Sequence, residues 1–394
     1  MMFTNLMNIY LVTGLLLCSV YLTPAKAEQV QTTEIVVGAE QALQYLPLLK
    51  NKRVGLIVNQ TSRVKGQHLV DYLLNKDIQV KLIFAPEHGF RGDHDAGEKV
   101  SSGMDKETGV KVYSIYGKHK KPSRETLKNI DVLVFDIQDV GVRYYTYISS
   151  MHYMMAAAAE NDIPFLVLDR PNPNGAYVDG PVLNTAFQSF VGMHEIPLLH
   201  GMTVGELALM INGERWIEKQ ADLSVIAVKN YNHDMSYSLP IKPSPNLPND
   251  VAIAHYASLG FFEATPVSIG RGTDFPFQVI GYNEYAIGDY SFKPRSIKGA
   301  ARSPKLQGIK VTGQDLRGMN TTGLNLSYLI AWHKLFKQHK QVFFTRADFM
   351  DKLAGTDQLR EQIQQDWTEE AIRNTWQQGL IHFKKQREPY LLYQ

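Results

Sequence analysis

The feature that most constrains the fold is a regular alternation of short apolar runs with stretches of helical character. The runs are rich in β-branched residues and are bounded by polar residues, Gly or Pro, which predicts buried strands at 54–58, 80–84, 110–115, 132–137 and 165–168. Residues 69–74 and the Ala-rich stretch 151–160 predict helices between them. Strands that alternate with helices at this spacing predict an α/β fold in which helices cover both faces of a parallel sheet.

The Pro-rich segment 240–248 is the predicted domain boundary, because it continues neither a helix nor a central strand. A chain of 394 residues with 44% apolar content has material for two domains. We therefore predict a parallel-sheet domain over 28–245 and a smaller α+β domain over 246–394. The second domain is predicted from strand-like and helical pieces, which lie at 308–312 and 342–345, and around 324–339 and 368–385.

The first 27 residues have the pattern of a secretory signal peptide. An apolar stretch over 8–22 precedes Ala25-Lys26-Ala27, an Ala-x-Ala cleavage site. Cleavage there removes Cys18, the only cysteine, and so leaves no disulfide, thiolate nucleophile or zinc–thiolate site. We predict a periplasmic or secreted protein without stable membrane insertion after cleavage. The alternative, a membrane anchor, needs an apolar span of about 20 residues, and this stretch is shorter.

Polar loops follow the predicted strands, and the loop after 80–84 is the most informative. Its sequence is Pro-Glu-His-Gly-Phe-Arg-Gly, which places Glu87 at the end of an apolar strand. In open α/β sheets the carboxyl ends of the strands open onto a crevice, where a partly desolvated carboxyl suits general acid catalysis. The structural alternative for Glu87 is a helix cap or a salt bridge to Arg91. The formal charge of +2 gives no sign of a nucleic-acid-binding face.

Long motifs in these loops resemble those of the exo-β-N-acetylmuramidases of the NamZ type, formerly a bacterial domain of unknown function. The motifs are PEHGFRG at 86–92, DIQDVGVRYYTY at 136–147, DRPNP at 169–173 and GRGT at 270–273. The resemblance implies a Rossmann-like first domain, a smaller second domain, and a cleft that releases N-acetylmuramic acid from the non-reducing end of peptidoglycan fragments. Residues 263–269 depart from the family pattern, which bears on substrate details of the second domain.

Glycoside hydrolysis usually needs two carboxyl groups around the scissile bond. Glu87 is the predicted acid, and Asp139 is the predicted second group because it lies in the loop after 132–137, next to Gly141. Asp136 is nearer the strand and either orients Asp139 or serves as a structural hydrogen-bonding residue. The acetamido oxygen of the sugar is a further candidate nucleophile, and the sequence does not separate these routes.

Selective recognition of muramic acid requires a cation for its lactyl carboxylate, and Arg is the best-suited donor. The candidates are, in order, Arg143, Arg271 and Arg91, each of which is also a candidate for a structural ion pair. The remaining predicted binding residues are polar or aromatic residues of the same loops that either contact sugar or stabilise turns and packing, namely Asn59, His88, Tyr145, Asp169 and Asn172.

Two other functions stay open. Glu87 and His88 with Asp93, His94 and Asp95 are the residue types of a metal-dependent hydrolase of wall-derived amides or phosphates, although their spacing matches no firm metal motif. A non-catalytic muropeptide-binding protein is the second alternative. Nucleotide binding is weaker, because no Gly-x-Gly-x-x-Gly follows the first strand. We predict neither a metal nor a cofactor.

Overall fold

The computed structural model describes residues 34–91, 102–117, 119–319 and 321–393. The predicted signal segment lies outside these residues. Among the helices described, none has the length and apolar character that crossing a membrane requires.

The strands of the described residues fall into two groups by position in the chain. The strands of the first part are β1 (Arg53–Val58), β2 (Arg63–Val64), β3 (Gln67–His68), β4 (Gln79–Ala85), β5 (Gly103–Met104), β6 (Lys111–Ser114), β7 (Val132–Asp136), β8 (Phe165–Leu168), β9 (Asp179–Val182), β10 (Pro197–Leu199) and β11 (Leu223–Ile226). Those of the second part are β12 (Val279–Tyr282), β13 (Tyr290–Phe292) and β14 (Val311–Asp315). All five predicted strands of the first part are confirmed.

The helices divide in the same way. The first part contains α1 (Ala42–Leu49), α2 (Leu69–Leu74), α3 (Arg124–Leu127), α4 (Tyr147–Glu160) and α5 (Val204–Gly213). The second contains α6 (Asp250–Leu259), α7 (Ser327–Gln338), α8 (Ala347–Ala354), α9 (Gln358–Gln364) and α10 (Glu369–Arg387). Helix α2 matches its prediction at both ends, and α4 begins four residues earlier than predicted, at Tyr147.

The central sheet has seven strands in the order β11-β8-β7-β1-β4-β6-β5. Its strand pairs are parallel except for β5 with β6. Numbered along the chain, the six parallel strands follow the order 3-2-1-4-5-6 of a doubly wound Rossmann-like fold. In such a fold the ligand crevice lies beyond the carboxyl ends of the strands, where the winding direction reverses. Here the reversal lies between β1 and β7.

Side chains from the two faces of the sheet pack into two separate apolar cores, because successive residues of a strand point to opposite faces. In β1, Val54, Leu56 and Val58 pack with α1 and α2 on one face. Ile57 points to the other face and joins the core around α4 and α5. The predicted covering of both sheet faces by helices is therefore confirmed.

The second part is an α+β arrangement, as predicted. Strands β12, β14 and β13 form an antiparallel sheet, and α7 and α10 cover the predicted helical stretches. The strand prediction for 342–345 is wrong: Phe343 and Phe344 are buried there by packing against α7, without a ladder partner. Residues from Ile35 onward pack into one compact unit, and the boundary at 245/246 stays a prediction.

Candidate active site

A cleft of about 830 Å³ opens beside the carboxyl ends of the sheet strands, and both parts of the chain line it. The first part contributes Glu87, Tyr116, residues 144–147, Phe190, Val191 and Ser244, and the second contributes residues from 246 to 353, including Arg271. The cleft therefore lies where the crevice was predicted, and Glu87, a predicted catalytic residue, lines it.

A tight turn at the end of β4 presents Glu87 to this cleft. The amide of Gly89 donates to the carbonyl of Pro86 at 3.1 Å, and both His88 and Gly89 have positive φ angles, 69° and 74°. Glycine tolerates this conformation, whereas a histidine in it is uncommon and strained. His88 Nε2 lies 3.4 Å from Ser244 Oγ, so the turn is also connected to the Pro-rich segment of the chain.

Two hydroxyl groups hold the two carboxylate oxygens of Glu87. Tyr116, two residues beyond β6, donates to Oε1 at 2.9 Å. Thr146, the N-cap residue of α4, donates to Oε2 at 3.2 Å and leaves the helix without a side-chain cap. Burial and the charge of Glu87 raise the pKa of Tyr116, so its hydroxyl keeps its proton and remains a donor. The Tyr147 hydroxyl donates to the main-chain oxygen of Glu87 at 3.3 Å, which fixes the turn itself.

The opposite wall of the cleft is cationic. Arg271 donates through Nε to Glu263 Oε1 at 2.5 Å, and its guanidinium lies 5.0 Å from the centroid of the Phe277 ring. Lys305 Nζ lies 4.0 Å from Glu263 Oε2. Although burial alone would raise it, Arg271 and Lys305 hold the pKa of Glu263 below its ordinary value. Arg302 and Arg346 complete the wall, so positive charge exceeds negative charge there.

Arg143, the first-ranked candidate for the lactyl carboxylate, is a structural residue. Its side chain is fully buried outside the cleft lining, and its Nη atoms donate to the carbonyls of Pro181, Ile196, Leu353 and Ala354 at 2.6–3.2 Å. With these donors used, the guanidinium is not available to a substrate. The structure therefore does not support the prediction that Arg143 contacts sugar.

Arg91 is also occupied elsewhere. It forms ion pairs with Asp105 at 2.8 Å and Glu107 at 3.0 Å, and it is absent from the cleft lining. Of the three predicted arginines, Arg271 alone reaches the cleft within the described residues.

Asp136 fills the structural role that was the alternative for it. It is fully buried and receives two hydrogen bonds from Arg170, at 2.6 and 3.0 Å. Such a bidentate pair satisfies both charges and leaves no free oxygen facing the cleft. The geometry does not support a catalytic role for Asp136.

Asp139 is buried and does not line the cleft. Its Oδ2 accepts from the amide of Gly141 at 2.7 Å and lies 3.5 Å from His200 Nε2. Its buried Oδ1 has no hydrogen-bond partner among the described residues. The hydrogen bond from Gly141 therefore satisfies Oδ2 of Asp139, whereas Oδ1 stays without a partner among the described residues.

Asp169 and Asn172 are structural in this fold. Asp169 is fully buried and accepts from Thr203 at 2.7 Å and Tyr393 at 2.5 Å, and burial raises its pKa to about 6. Asn172 donates to the carbonyl of Met202 at 2.9 Å. Neither lines the cleft.

Tyr145 and Asn59 remain close to the cleft. Tyr145 lines it and donates to the carbonyl of Pro243 at 2.7 Å, so its hydroxyl is already hydrogen-bonded. Asn59 is buried at the end of β1; its Oδ1 accepts from Thr61, and its Nδ2 has no partner among the described residues.

Comparison with known proteins decides the family. Sequence profiles described as exo-beta-N-acetylmuramidase NamZ, N-terminal and C-terminal, match residues 54–251 and 254–393. The chain is 42% identical to a peptidoglycan beta-N-acetylmuramidase NamZ of Bacillus subtilis (strain 168), over 94% of this chain and 92% of that protein. The chain belongs to the exo-β-N-acetylmuramidase NamZ family. It is therefore a glycoside hydrolase, as the motifs implied.

Solved structures agree with this membership of the NamZ family. A DUF1343 family protein of Bacteroides fragilis NCTC 9343 superposes with a TM-score of 0.84 at 45% identity, over 92% of this chain and 99% of that chain. A second one from the same organism gives a TM-score of 0.78 at 32% identity, over 91% and 99%. The Rossmann-like first part and the smaller α+β second part are thus confirmed.

Sequence reasoning missed several residues that line the NamZ-family cleft. They are Tyr116, Thr146, Glu263, Lys305 and Arg346. Tyr116 carried a usable signal, because it follows a predicted strand directly. Glu263 lies in a short 3-10 helix, Gly260–Ala264, and Lys305 lies in a turn, and neither segment is long enough for periodicity to indicate which way a side chain points.

The metal alternative gains no support from the described part of the chain. Within it, no three His, Cys, Asp or Glu side chains are placed to share one ion. Of the proposed ligands, Glu87 and His88 are described, whereas Asp93, His94 and Asp95 lie outside the described residues.

Proposed function

We propose that this protein removes a non-reducing terminal N-acetylmuramic acid residue from peptidoglycan fragments by hydrolysis of its β-glycosidic bond. The observation that carries the proposal is the placement of Glu87 and Arg271 in one cleft, a hydroxyl-held carboxyl on one wall and a cation on the other. The name of the Bacillus subtilis relative, a peptidoglycan beta-N-acetylmuramidase, supports the substrate class.

Glu87 is the proposed general acid, which protonates the glycosidic oxygen as the bond to the sugar breaks. Tyr116 and Thr146 donate to its two oxygens and fix the carboxyl plane relative to the cleft. A catalytic proton donor held in this way loses little orientational freedom on the way to the transition state.

Arg271 is the proposed partner of the lactyl carboxylate, the group that distinguishes muramic acid from glucosamine. Its Nε is occupied by Glu263, and within the described residues its Nη donors make no hydrogen bond. Lys305 adds a second positive charge close by, since it lies 4.0 Å from the same Glu263. Glu263 thereby orients Arg271 and is itself committed to the ion pair.

The second catalytic role is assigned to the substrate. Glu87 and Glu263 are the carboxyl groups that line the described part of the cleft, and Glu263 is held by Arg271. Asp139, the predicted partner, does not line the cleft. We therefore propose that the acetamido oxygen of the sugar attacks the anomeric carbon while Glu87 protonates the leaving oxygen.

The experiment is a release assay with a chromogenic muramic acid β-glycoside beside its glucosamine counterpart. Rapid release from the first and weak release from the second is the expected result. A preference for the glucosamine compound would refute the assignment of the cationic wall. Replacing the acetamido group with trifluoroacetamido should lower the rate sharply, and an unchanged rate would return the second role to a protein carboxylate.

We further propose that the enzyme acts outside the cytoplasm, in the periplasm or after secretion. Support comes from the apolar stretch 8–22 and the Ala-Lys-Ala site at 25–27. Cell fractionation with N-terminal sequencing tests the proposal: a mature chain that begins near Glu28 is expected, and a cytoplasmic chain that keeps its first residues would contradict it.

A further inference from the structure

A tight hairpin turn at residues 189–192 carries two apolar side chains at its tip. The amide of Ser189 donates to the carbonyl of Gly192 at 2.9 Å, and the amide of Gly192 donates back to the carbonyl of Ser189 at 3.1 Å. Phe190 and Val191 are the two residues between them, and both line the cleft. Tight turns favour Gly, Asn, Asp and Ser, so an aromatic and a β-branched residue depart from the local rule here. Such departures are expected at functional sites.

Contacts from outside the cleft hold the Phe190 ring. The hydroxyl of Ser149, on α4, donates to the main-chain oxygen of Phe190 at 2.8 Å. The ring of Tyr153, also on α4, is nearly parallel to that of Phe190, with the centroids 6.4 Å apart, and Lys120 Nζ lies 4.3 Å from the Phe190 centroid. Neither Tyr153 nor Lys120 is among the described residues that line the cleft. Phe190 is thus a fixed, half-buried ring with part of its surface toward the cavity.

This ring adjoins the proposed general acid. The centroids of the Phe190 and Tyr116 rings are 6.4 Å apart, and the Tyr116 hydroxyl donates to Glu87 Oε1 at 2.9 Å. A general acid protonates the oxygen of the leaving group, so it lies on the side of the scissile bond where the departing sugar is bound. Arg271, the proposed partner of the lactyl carboxylate, belongs to the opposite wall. The hairpin tip therefore lies beside the acid and away from the muramic acid contact.

We infer that Phe190 and Val191 form the subsite for the leaving sugar, the N-acetylglucosamine unit to which the terminal muramic acid is linked. The faces of a pyranose ring carry C–H groups, which pack on aromatic and aliphatic side chains. Apart from Glu87, the charged residues of the described cleft lining all belong to the second part of the chain. An apolar tip on the less charged wall suits an uncharged sugar. The inference rests on the proposed function and adds to it the contact that selects the leaving group.

The test compares two substrates that share N-acetylmuramic acid and differ in the leaving group. In its β-linked disaccharide with N-acetylglucosamine, the leaving sugar fills the subsite, whereas in its β-fluoride a single atom leaves. Phe190→Ala should lower kcat/KM on the disaccharide about five- to thirtyfold, because it removes an aromatic contact and its apolar area. On the fluoride, kcat/KM should be nearly unchanged. Steady-state kinetics and thermal denaturation of each variant check this.

Phe187→Ala is the matched control, since it removes a half-buried phenylalanine three residues earlier that is absent from the described cleft lining. It should affect neither substrate. Phe190→Tyr keeps the ring and should retain most of the disaccharide activity. If Phe190→Ala is unstable, Phe190→Leu, which keeps apolar volume without the ring, should show the same selective loss to a smaller extent.

An equal loss on both substrates in a stable Phe190 variant would overturn the inference, because the ring would then only support the cleft. Undiminished cleavage of the disaccharide by Phe190→Ala would overturn it too, as would an unmodified protein that cleaves the fluoride and not the disaccharide. An unmodified protein that cleaves neither compound would instead refute the proposed function.

Discussion

The two walls of the cleft differ in how they hold their charges. On the wall from the first part, the carboxyl of Glu87 accepts hydrogen bonds from the hydroxyls of Tyr116 and Thr146. On the wall from the second part, Glu263 lies among Arg271 and Lys305. The two cations hold the carboxylate of Glu263 in its ionised form, whereas the hydroxyls of Tyr116 and Thr146 orient the carboxyl of Glu87 by hydrogen bonding.

This difference separates the chemistry from the selectivity. The first wall provides proton transfer, which every β-glycoside of suitable shape needs. The second wall provides positive charge, which only a sugar with a carboxylate uses. Changes on the first wall should therefore slow all substrates alike, and changes on the second should alter the preference between substrates.

The largest effect is expected from Glu87→Gln. Loss of general acid catalysis typically costs about 10²- to 10⁴-fold in turnover. The amide keeps the size of the side chain, so the melting temperature should stay unchanged. Steady-state kinetics on both chromogenic glycosides checks this, with the exposed Glu125→Gln as control. Near-normal turnover in a stable variant would remove Glu87 from the mechanism.

The next effect, from Arg271→Ala, should be selective. A charge-assisted hydrogen bond contributes roughly 1.5 to 3 kcal/mol, and 1.36 kcal/mol is about tenfold in rate. We expect a loss of about 10- to 150-fold in kcat/KM on the muramic acid glycoside and little change on the glucosamine compound. An equal loss on both would show that Arg271 supports the fold or Glu87 instead.

Arg143→Ala is the matched comparison, because both residues were candidates for the same contact. Its removal leaves four main-chain carbonyls without their donor, which should destabilise the fold by at least about 3 kcal/mol. Thermal denaturation should show a clear drop in Tm, with no change in substrate preference. A stable Arg143→Ala variant that has lost only muramic acid selectivity would contradict the structure.

A smaller effect is expected from pH. Burial lowers the pKa of Lys305 to about 8, so its positive charge is present below that pH and is lost above it. The ratio of kcat/KM for the muramic acid and glucosamine glycosides should fall by up to about tenfold above pH 8. Taking the ratio cancels the titration of groups common to both reactions.

Lys305→Arg provides the control, because a guanidinium stays charged across this range. In this variant the ratio of kcat/KM for the muramic acid and glucosamine glycosides should stay constant from pH 7 to 9. The same fall in both proteins would assign the titration to another group.

The smallest effect is expected from Tyr116→Phe. One neutral hydrogen bond contributes about 0.5 to 1.5 kcal/mol, which predicts a two- to tenfold lower kcat on both substrates. Steady-state kinetics on both chromogenic glycosides checks this prediction. An unchanged kcat would show that the hydrogen bond from Tyr116 to Glu87 does not contribute to catalysis.

The parallel sheet could be predicted because its signal is local. Each buried strand is a short apolar run, and β1, β4, β6, β7 and β8 all lie where such runs occur. The strand prediction at 342–345 failed because burial there comes from Phe343 and Phe344 packing on α7, and an apolar run does not reveal whether a backbone partner exists.

The sequence predicted where polar residues lie relative to the strands better than it predicted what each of these residues does. Asp136 ends β7 and Asp139 lies three residues beyond it, and nothing local shows that Asp136 pairs with Arg170 while Asp139 accepts from Gly141. Arg170 is 34 residues from Asp136 in the chain, so the pairing exists only once the sheet has formed.

The sequence by itself determined a parallel sheet with helices on both faces, the placement of Glu87 at a strand end and the family motifs, because hydrophobic period, turn residues and motif spacing are properties of short segments. The tertiary structure decided which arginine reaches the cleft. Arg143 is held by carbonyls 38 to 211 residues away, and Arg271 is turned toward the cleft by Glu263, only eight residues before it. Buried polar groups are normally hydrogen-bonded, and for Arg143 the carbonyl acceptors come from distant segments that only the folded chain brings together.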